Sequence, residues 1–242
     1  MSSAVTIDAQ EMKSAPGTTV ASALHTTLLL VILLGGAGLM YFSSTRMRTD
    51  EHPNRLAFYA TTMIWEWFLT AYVLFGVRHH GKSLVEVTGA RWNSAKDFFR
   101  DLGVAFAFWI VALVVLGLTA ALLHFRGSRE SLSFLAPQGP AQIAMWVLLS
   151  VTAGFCEETI FRGYLQKQFI AWSNNPPIGI LLSAVVFGAC HIYQGAKAVV
   201  VIMVYGLLFG ILAQWRKSMR PGMMTHALHD TVSGLAVKLL PR

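Results

Sequence analysis

Long apolar runs separated by short polar breaks dominate the chain, and they predict its elements. A helix that crosses a membrane needs about 20 predominantly apolar residues, and several runs approach or exceed that length. In chain order, the runs are 21–42, 56–77, 102–124, one that begins near Ala141, 178–193, 197–214 and 223–240. The pattern therefore predicts an all-α transmembrane bundle of about seven helices.

Polar stretches mark where these helices begin and end. "NNPP" at 174–177 and "RKSMRPG" at 216–222 are breaks, because proline cannot continue a helix and favours turns. The stretch 78–100 is polar and basic, and its "SAKDFFRDLG" part is predicted to form an interfacial helix. If the 84–101 stretch dips into the bilayer, the bundle has eight helices instead of seven.

The same pattern divides the chain into three parts. Residues 1–20 are polar and are predicted to form a flexible tail, because they lack the charged-then-apolar order of a signal peptide. Residues 21–140 are predicted to hold the N-terminal transmembrane helices and the interfacial segment. Residues 141–242 are predicted to form a transmembrane core, which contains most of the ionisable residues found inside apolar runs.

Composition strengthens the membrane interpretation. Hydrophobic residues make up 55% of the chain and charged residues 13%, whereas a soluble domain carries about 25% charged residues. The formal net charge is +7. No basic stripe or nucleic-acid-binding motif accompanies this charge, so we expect no nucleic-acid partner.

The distribution of basic residues predicts the orientation. Lys and Arg are densest in 78–100 and 216–220, so these loops and the N-terminus are expected to face the cytoplasm. The chain is thus predicted to be an integral, multi-pass membrane protein. Its compact length and the lack of an added soluble domain favour a bacterial inner membrane over a eukaryotic endomembrane.

Ionisable residues inside the apolar runs are the candidates for function, because charged groups at membrane depth are costly. Before residue 141 the clear case is Glu66 in "WEW", which could pair with a polar group on a neighbouring helix or lie near the interface. The others crowd into three successive motifs, and this clustering predicts one functional site. They are Glu157, Glu158, Arg162, His191, His226, His229 and Asp230.

The first motif is "GFCEETIFRGYLQ", residues 154–166. In an α-helix Glu158 and Arg162 lie four residues apart on nearly one face, with the acid in the favoured N-terminal position. Arg162 is therefore predicted to neutralise Glu158. Glu157 points about 140° away from Arg162 on the same helical wheel, so it is the carboxylate left free to act as a general base or acid.

The other two motifs place an imidazole on a late helix. In "FGACH", Phe187 and His191 are four residues apart and share a face. In "HALHD", His226 and Asp230 are four apart, so Asp230 could orient His226 or balance its charge. His229 is the more probable bystander of the two histidines in this motif.

The three motifs in this order resemble the CPBP family, which contains the CAAX prenyl endopeptidases and bacteriocin-processing enzymes and is also called the Abi family. The matching residues are Glu157-Glu158-x3-Arg162, Phe187-x3-His191 and His226-x3-Asp230. The resemblance covers about residues 140–242. The earlier helices share only their hydrophobicity with the family.

The resemblance implies an all-α bundle with a membrane-embedded polar cavity, and the intramembrane hydrolysis of a peptide bond. It implies that Glu157 activates the attacking water with help from His191, and that His226 and Asp230 stabilise the oxyanion. The supporting residues are Glu158, Arg162 and Phe187. Eukaryotic members with these motifs cut three residues from prenylated C-termini. The implied partner is therefore a membrane-associated peptide or protein, with or without a lipid.

Residue 230 departs from the pattern of the family, whose eukaryotic members usually have Asn at this position. An ionised aspartate cannot donate a hydrogen bond to an oxyanion. Asp230 must therefore be protonated, or it acts by holding His226. Both roles remain open from the sequence.

A metal-dependent mechanism and two non-protease functions are the alternatives. The chain has no His-Glu-x-x-His motif, so a metal-independent, glutamate-type protease without a cofactor is favoured. Glu157, His191 and His226 could nevertheless form a two-histidine, one-carboxylate metal site. A proton-coupled transporter would also need buried ionisable groups, but the chain shows no internal repeat. A non-catalytic membrane scaffold is the third possibility.

Overall fold

The computed structural model of the protein describes residues 18–89, 91–125 and 134–237. Eight helices follow one another in these three ranges. They are α1 (Ala23–Thr49), α2 (Arg55–His79), α3 (Val85–Thr88), α4 (Ala95–Leu122), α5 (Pro140–Ser173), α6 (Pro176–Cys190), α7 (Ala196–Arg216) and α8 (Arg220–Ala236). Most of the predicted N-terminal tail, residues 1–17, lies outside the described residues.

Five of these helices, α1, α2, α4, α5 and α7, are long and apolar enough to cross a membrane, and α6 is a shorter apolar helix. The outer faces of the long helices carry large exposed side chains such as Leu39, Phe75 and Leu122. Apolar side chains on the outside are expected where lipid surrounds a bundle. The predicted all-α membrane bundle is therefore confirmed, although α8, the last predicted span, is not among the five long apolar helices.

The helix boundaries follow from capping residues and prolines. The side chains of Ser22, Asn54, Ser94 and Asn175 each accept a hydrogen bond from a backbone N–H in the first turn that follows. Prolines stand in the first turns of α5, α6 and α8, where a missing N–H costs nothing. The predicted break at "NNPP" is thus the cap and the first residues of α6.

The prediction of a separate interfacial helix in "SAKDFFRDLG" is wrong. Ser94 caps a helix that begins at Ala95 and continues without interruption to Leu122. No proline or capping signal lies between those two residues, so nothing ends the helix before the long apolar run.

Helix α5 lies at the centre of the bundle and packs against α2, α3, α6 and α8. Two glycines allow close approach of its neighbours. A side chain at Gly154 would come within 2.6 Å of the Met223 carbonyl oxygen of α8, and one at Gly163 would collide with the Val87 carbonyl of α3. The contact at Gly154 brings α8 directly onto the part of α5 that contains the first motif.

The first motif also changes the geometry of α5. The helix is α-helical over Pro140–Glu157, becomes a π-helix over Glu158–Leu165 and returns to α-helix over Gln166–Ser173. Every residue of the π-helical segment is buried. π-Helical turns are rare and occur frequently at functional sites, and here the wider turn starts between the two adjacent glutamates.

Candidate active site

A cavity of about 330 Å³ lies in the bundle and is lined by α1, α2, α5, α6, α7 and α8, together with residues 135–136 and 193–194. Its walls are largely apolar, with residues such as Leu33, Phe58 and Trp65. Six acidic and histidine side chains also line it: Glu66, Glu157, His191, His226, His229 and Asp230. An apolar cavity with a few convergent polar groups is the usual form of a small-molecule or substrate site.

The predicted pair in the first motif is formed. Arg162 Nη1 lies 3.1 Å from Glu158 Oε1, and both side chains are only 1% exposed. Arg162 Nη2 donates to the Gly206 carbonyl at 3.3 Å, and the guanidinium lies 4.3 Å from the centroid of the Phe187 ring. Hydrogen bonds and a ring face thus surround a charge that would otherwise be costly to bury.

His226 connects this buried pair to the cavity. Its Nδ1–H donates to Glu158 Oε1 at 3.0 Å. On the other side of the ring, Nε2 lies 3.6 Å from Glu157 Oε2 and 3.6 Å from Asp230 Oδ2. Because Glu158 fixes the Nδ1 side, Nε2 is the ring nitrogen that faces Glu157 and Asp230.

Glu157 and Glu158 are neighbours in the chain but have different surroundings. Glu157 is 17% exposed and lines the cavity, whereas Glu158 is 1% exposed and does not. Glu157 Oε2 is buried and, within the described residues, has no hydrogen-bond partner. The two carboxylates therefore separate as the helical wheel predicts, although the segment that follows Glu157 is π-helical instead of α-helical.

His191 lies at the C-terminal end of α6, and its position depends on Phe187. Its Nδ1–H donates to the Phe187 carbonyl at 2.8 Å, and the two rings are 4.8 Å apart. In the neutral ring this bond leaves the lone pair on Nε2. The adjacent Tyr193 also lines the cavity, and burial raises the pKa of its phenol above the ordinary value.

The structure adds groups that sequence reasoning left out or placed differently. Glu66 is buried and lines the cavity. His229, expected to be a bystander, also lines the cavity, and its ring is 4.8 Å from that of Tyr205. Trp146 Nε1–H donates to the backbone carbonyl of Asp230 at 3.0 Å. Tyr205, which also lines the cavity, was not a candidate from the sequence because it stands within an apolar run.

Metal binding was one alternative for these side chains. Across residues 18–89, 91–125 and 134–237, no group of three or more His, Cys, Asp or Glu side chains is placed to hold a metal ion. Glu157, His191 and His226 line one cavity, but they do not converge as a ligand set.

Fold and site together define a multi-pass helical membrane protein with a carboxylate–imidazole cluster inside its bundle. Residues 139–232 match the family model of the type II CAAX prenyl endopeptidase Rce1-like proteins. This match contains all three motifs and confirms the resemblance to the CAAX prenyl protease family, whose activity is that of a membrane endopeptidase. No curated protein and no solved structure shows a significant match to the chain.

Proposed function

We propose that the protein is a glutamate-type intramembrane endopeptidase that cleaves a membrane-associated peptide or protein. One observation carries the proposal. Glu157 faces the cavity with an unpartnered oxygen 3.6 Å from His226 Nε2, while its neighbour Glu158 is neutralised by Arg162. A free carboxylate beside an imidazole is suited to removing a proton from water.

In the proposed reaction, Glu157 accepts a proton from a water molecule, and His191 Nε2 helps to orient that water. The water oxygen then bonds to the carbonyl carbon of the peptide, and the carbonyl electron pair moves to its oxygen. His226 and Asp230 face this oxyanion. When the C–N bond breaks, the proton held by Glu157 passes to the leaving nitrogen, so that Glu157 returns to its starting state.

The buried residues of the first motif have a positioning role in this proposal. Glu158 holds His226 through Nδ1, and Arg162 holds Glu158 and the Gly206 carbonyl. Phe187 packs its ring against the Arg162 guanidinium and accepts from His191 through its carbonyl. Both imidazoles are therefore held through Nδ1, which preorganises the site.

The direct test is proteolysis in reconstituted membranes. Purified wild-type protein and Glu157→Ala are placed in liposomes with a membrane-anchored peptide, in one lipidated and one unlipidated form. We expect the wild type to cleave and Glu157→Ala to leave the peptide intact. Cleavage by both variants would reject Glu157 as the base, and absence of cleavage combined with proton flux across the liposomes would favour a transporter.

The same assay tests metal independence. The proposed mechanism assigns proton transfer and charge stabilisation to protein side chains alone, so a stringent chelator is expected to leave the rate unchanged. Loss of activity on chelation, with recovery when zinc is added, would assign the protein to the metalloproteases.

A further inference from the structure

A tyrosine on α7 has a buried hydroxyl that the proposed mechanism does not use. Tyr205 is 5% exposed and lines the cavity. Its hydroxyl is buried and has no hydrogen-bond partner within the described residues. A buried polar group without a partner costs free energy, and such groups are uncommon in native proteins. Because Tyr205 lines the cavity beside His226 and His229, a peptide bound there is the candidate for the missing partner.

The Tyr205 ring is held in place by neighbours of the site. It packs edge-to-face on Phe209 at 4.5 Å and lies 4.8 Å from the His229 ring and 6.2 Å from the His226 ring. The next residue along the chain, Gly206, accepts the hydrogen bond from Arg162. The Tyr205 ring is therefore held beside the buried network that positions His226.

The oxyanion of the proposed reaction can accept more than one hydrogen bond, so a second neutral donor beside Asp230 would stabilise it further. His226 Nε2 also lies 3.6 Å from Glu157 Oε2, and this carboxylate competes with the oxyanion for the imidazole proton. A tyrosine hydroxyl is a donor without any change of charge, and a preorganised donor in a site that excludes water stabilises developing negative charge strongly.

We propose that Tyr205 is a catalytic residue whose hydroxyl donates a hydrogen bond to the oxyanion formed when the peptide carbonyl is attacked. The phenol keeps its proton throughout, so the proton transfers of the mechanism are unchanged. This inference rests on the proposed endopeptidase function, and it adds to that function a donor outside the three motifs.

The test is Tyr205→Phe, which removes the hydroxyl and keeps the ring that packs on Phe209. We expect kcat to fall about 100-fold with KM unchanged, the usual cost of one oxyanion donor. A peptide phosphinate, whose tetrahedral P–O group mimics the oxyanion, should lose affinity by the same factor, because such analogues report transition-state binding. A merely structural role would not weaken the phosphinate selectively.

Tyr164→Phe is the matched control. The Tyr164 hydroxyl is also buried, but it bonds to Thr26 at 2.9 Å and does not line the cavity. This variant should lose stability and keep the wild-type kcat. If Tyr205→Phe does not fold, 3-fluorotyrosine at position 205 preserves the shape and strengthens the donor, so it should tighten phosphinate binding.

The outcomes separate this inference from the proposed function. If the wild type cleaves and Glu157→Ala does not, the function stands. In that case, two results for Tyr205→Phe would overturn the role of Tyr205 without affecting the proposed function. One is a wild-type kcat together with wild-type phosphinate affinity, and the other is a raised KM with an unchanged kcat. An inactive wild type would overturn the proposed function itself. Unchanged phosphinate affinity with 3-fluorotyrosine would also overturn the role of Tyr205.

Discussion

Two buried carboxylates in this bundle each hold basic residues from other parts of the chain, and only one of them leads to the cavity. Glu158 on α5 binds Arg162 and His226. Asp101 on α4 is fully buried and lies 3.2 Å from Arg216 and 3.1 Å from Arg220. Both clusters join helices that are distant in sequence.

The clusters differ in what surrounds them. Arg162 is 1% exposed, whereas Arg216 and Arg220 are 23% and 17% exposed and stand where α7 ends and α8 begins. None of the Asp101 cluster lines the cavity, while the Glu158 cluster reaches it through His226. Burial of an ion pair therefore does not by itself indicate a site. A site is indicated instead by a titratable group, such as His226, that the buried pair fixes on one side and that faces a cavity on the other.

The largest expected effect belongs to Glu157, the carboxylate that lines the cavity beside His226. Glu157→Gln keeps the size of the side chain but cannot accept the proton of the attacking water. We expect the rate of cleavage to fall about 1000-fold or more, within the range of general acid–base catalysis, while the thermal unfolding of the detergent-solubilised protein stays unchanged. A Glu157→Gln variant with wild-type activity would remove Glu157 from the mechanism.

The second effect is on stability. Glu158→Gln leaves the fully buried guanidinium of Arg162 without its counter-charge, and breaking such a pair costs about 3–5 kcal/mol. Activity should fall as well, because His226 loses the charged acceptor of its Nδ1–H. Denaturant unfolding in micelles measures the first effect and the peptide assay measures the second. If Glu157→Gln and Glu158→Gln had equal stability and were both fully active, the division of roles between them would be wrong.

The third prediction concerns the second carboxylate beside His226. We propose that Asp230 acts as a neutral donor, since members of the resembling family have Asn at this position. Asp230→Asn should then keep the rate within about tenfold, or about 1.4 kcal/mol of barrier. Asp230→Ala should lose about 100-fold.

The comparison of these two variants decides between the two roles of Asp230. If Asp230 instead acts as a charged group that orients His226, asparagine cannot replace it. An Asn variant as inactive as the Ala variant would therefore contradict the donor role and favour the orienting carboxylate.

Contacts one helical turn apart were open to prediction from the sequence, and contacts between helices were not. The pairs Glu158–Arg162 and His226–Asp230 follow from four-residue spacing along a single helix. The bond from Glu158 to His226 joins residues 68 positions apart, and no spacing rule reaches that far. Glu157, His191, His226 and Asp230 were candidates from the sequence and all line the cavity, but the bond that links His226 to the buried pair could not be predicted.

The misplaced interfacial helix and the missed tyrosine have the same physical origin. Charges in "SAKDFFRDLG" suggested a surface segment, yet Asp101 is compensated by arginines that lie more than a hundred residues later. Tyr205 was treated as part of an apolar run, and its ring does pack in the core, but the residue also lines the cavity. In both cases the surroundings of the residue in the folded protein decide its role, and the sequence pattern does not show them.

The smallest expected effect on activity sharpens the contrast between the two clusters. Asp101→Asn makes the same carboxylate-to-amide change as Glu158→Gln, but its arginines are partly exposed and can be hydrated. The loss of stability should therefore be smaller, about 1.5–3 kcal/mol, the value of hydrogen bonds to charged groups. The rate of cleavage should stay at the wild-type value, because Asp101 and its partners lie outside the cavity. Unfolding and peptide assays on the two variants, run in parallel, check this expectation. A strong loss of kcat in folded Asp101→Asn would contradict it. The Asp101 cluster would then control the site, and the two clusters would form one coupled network.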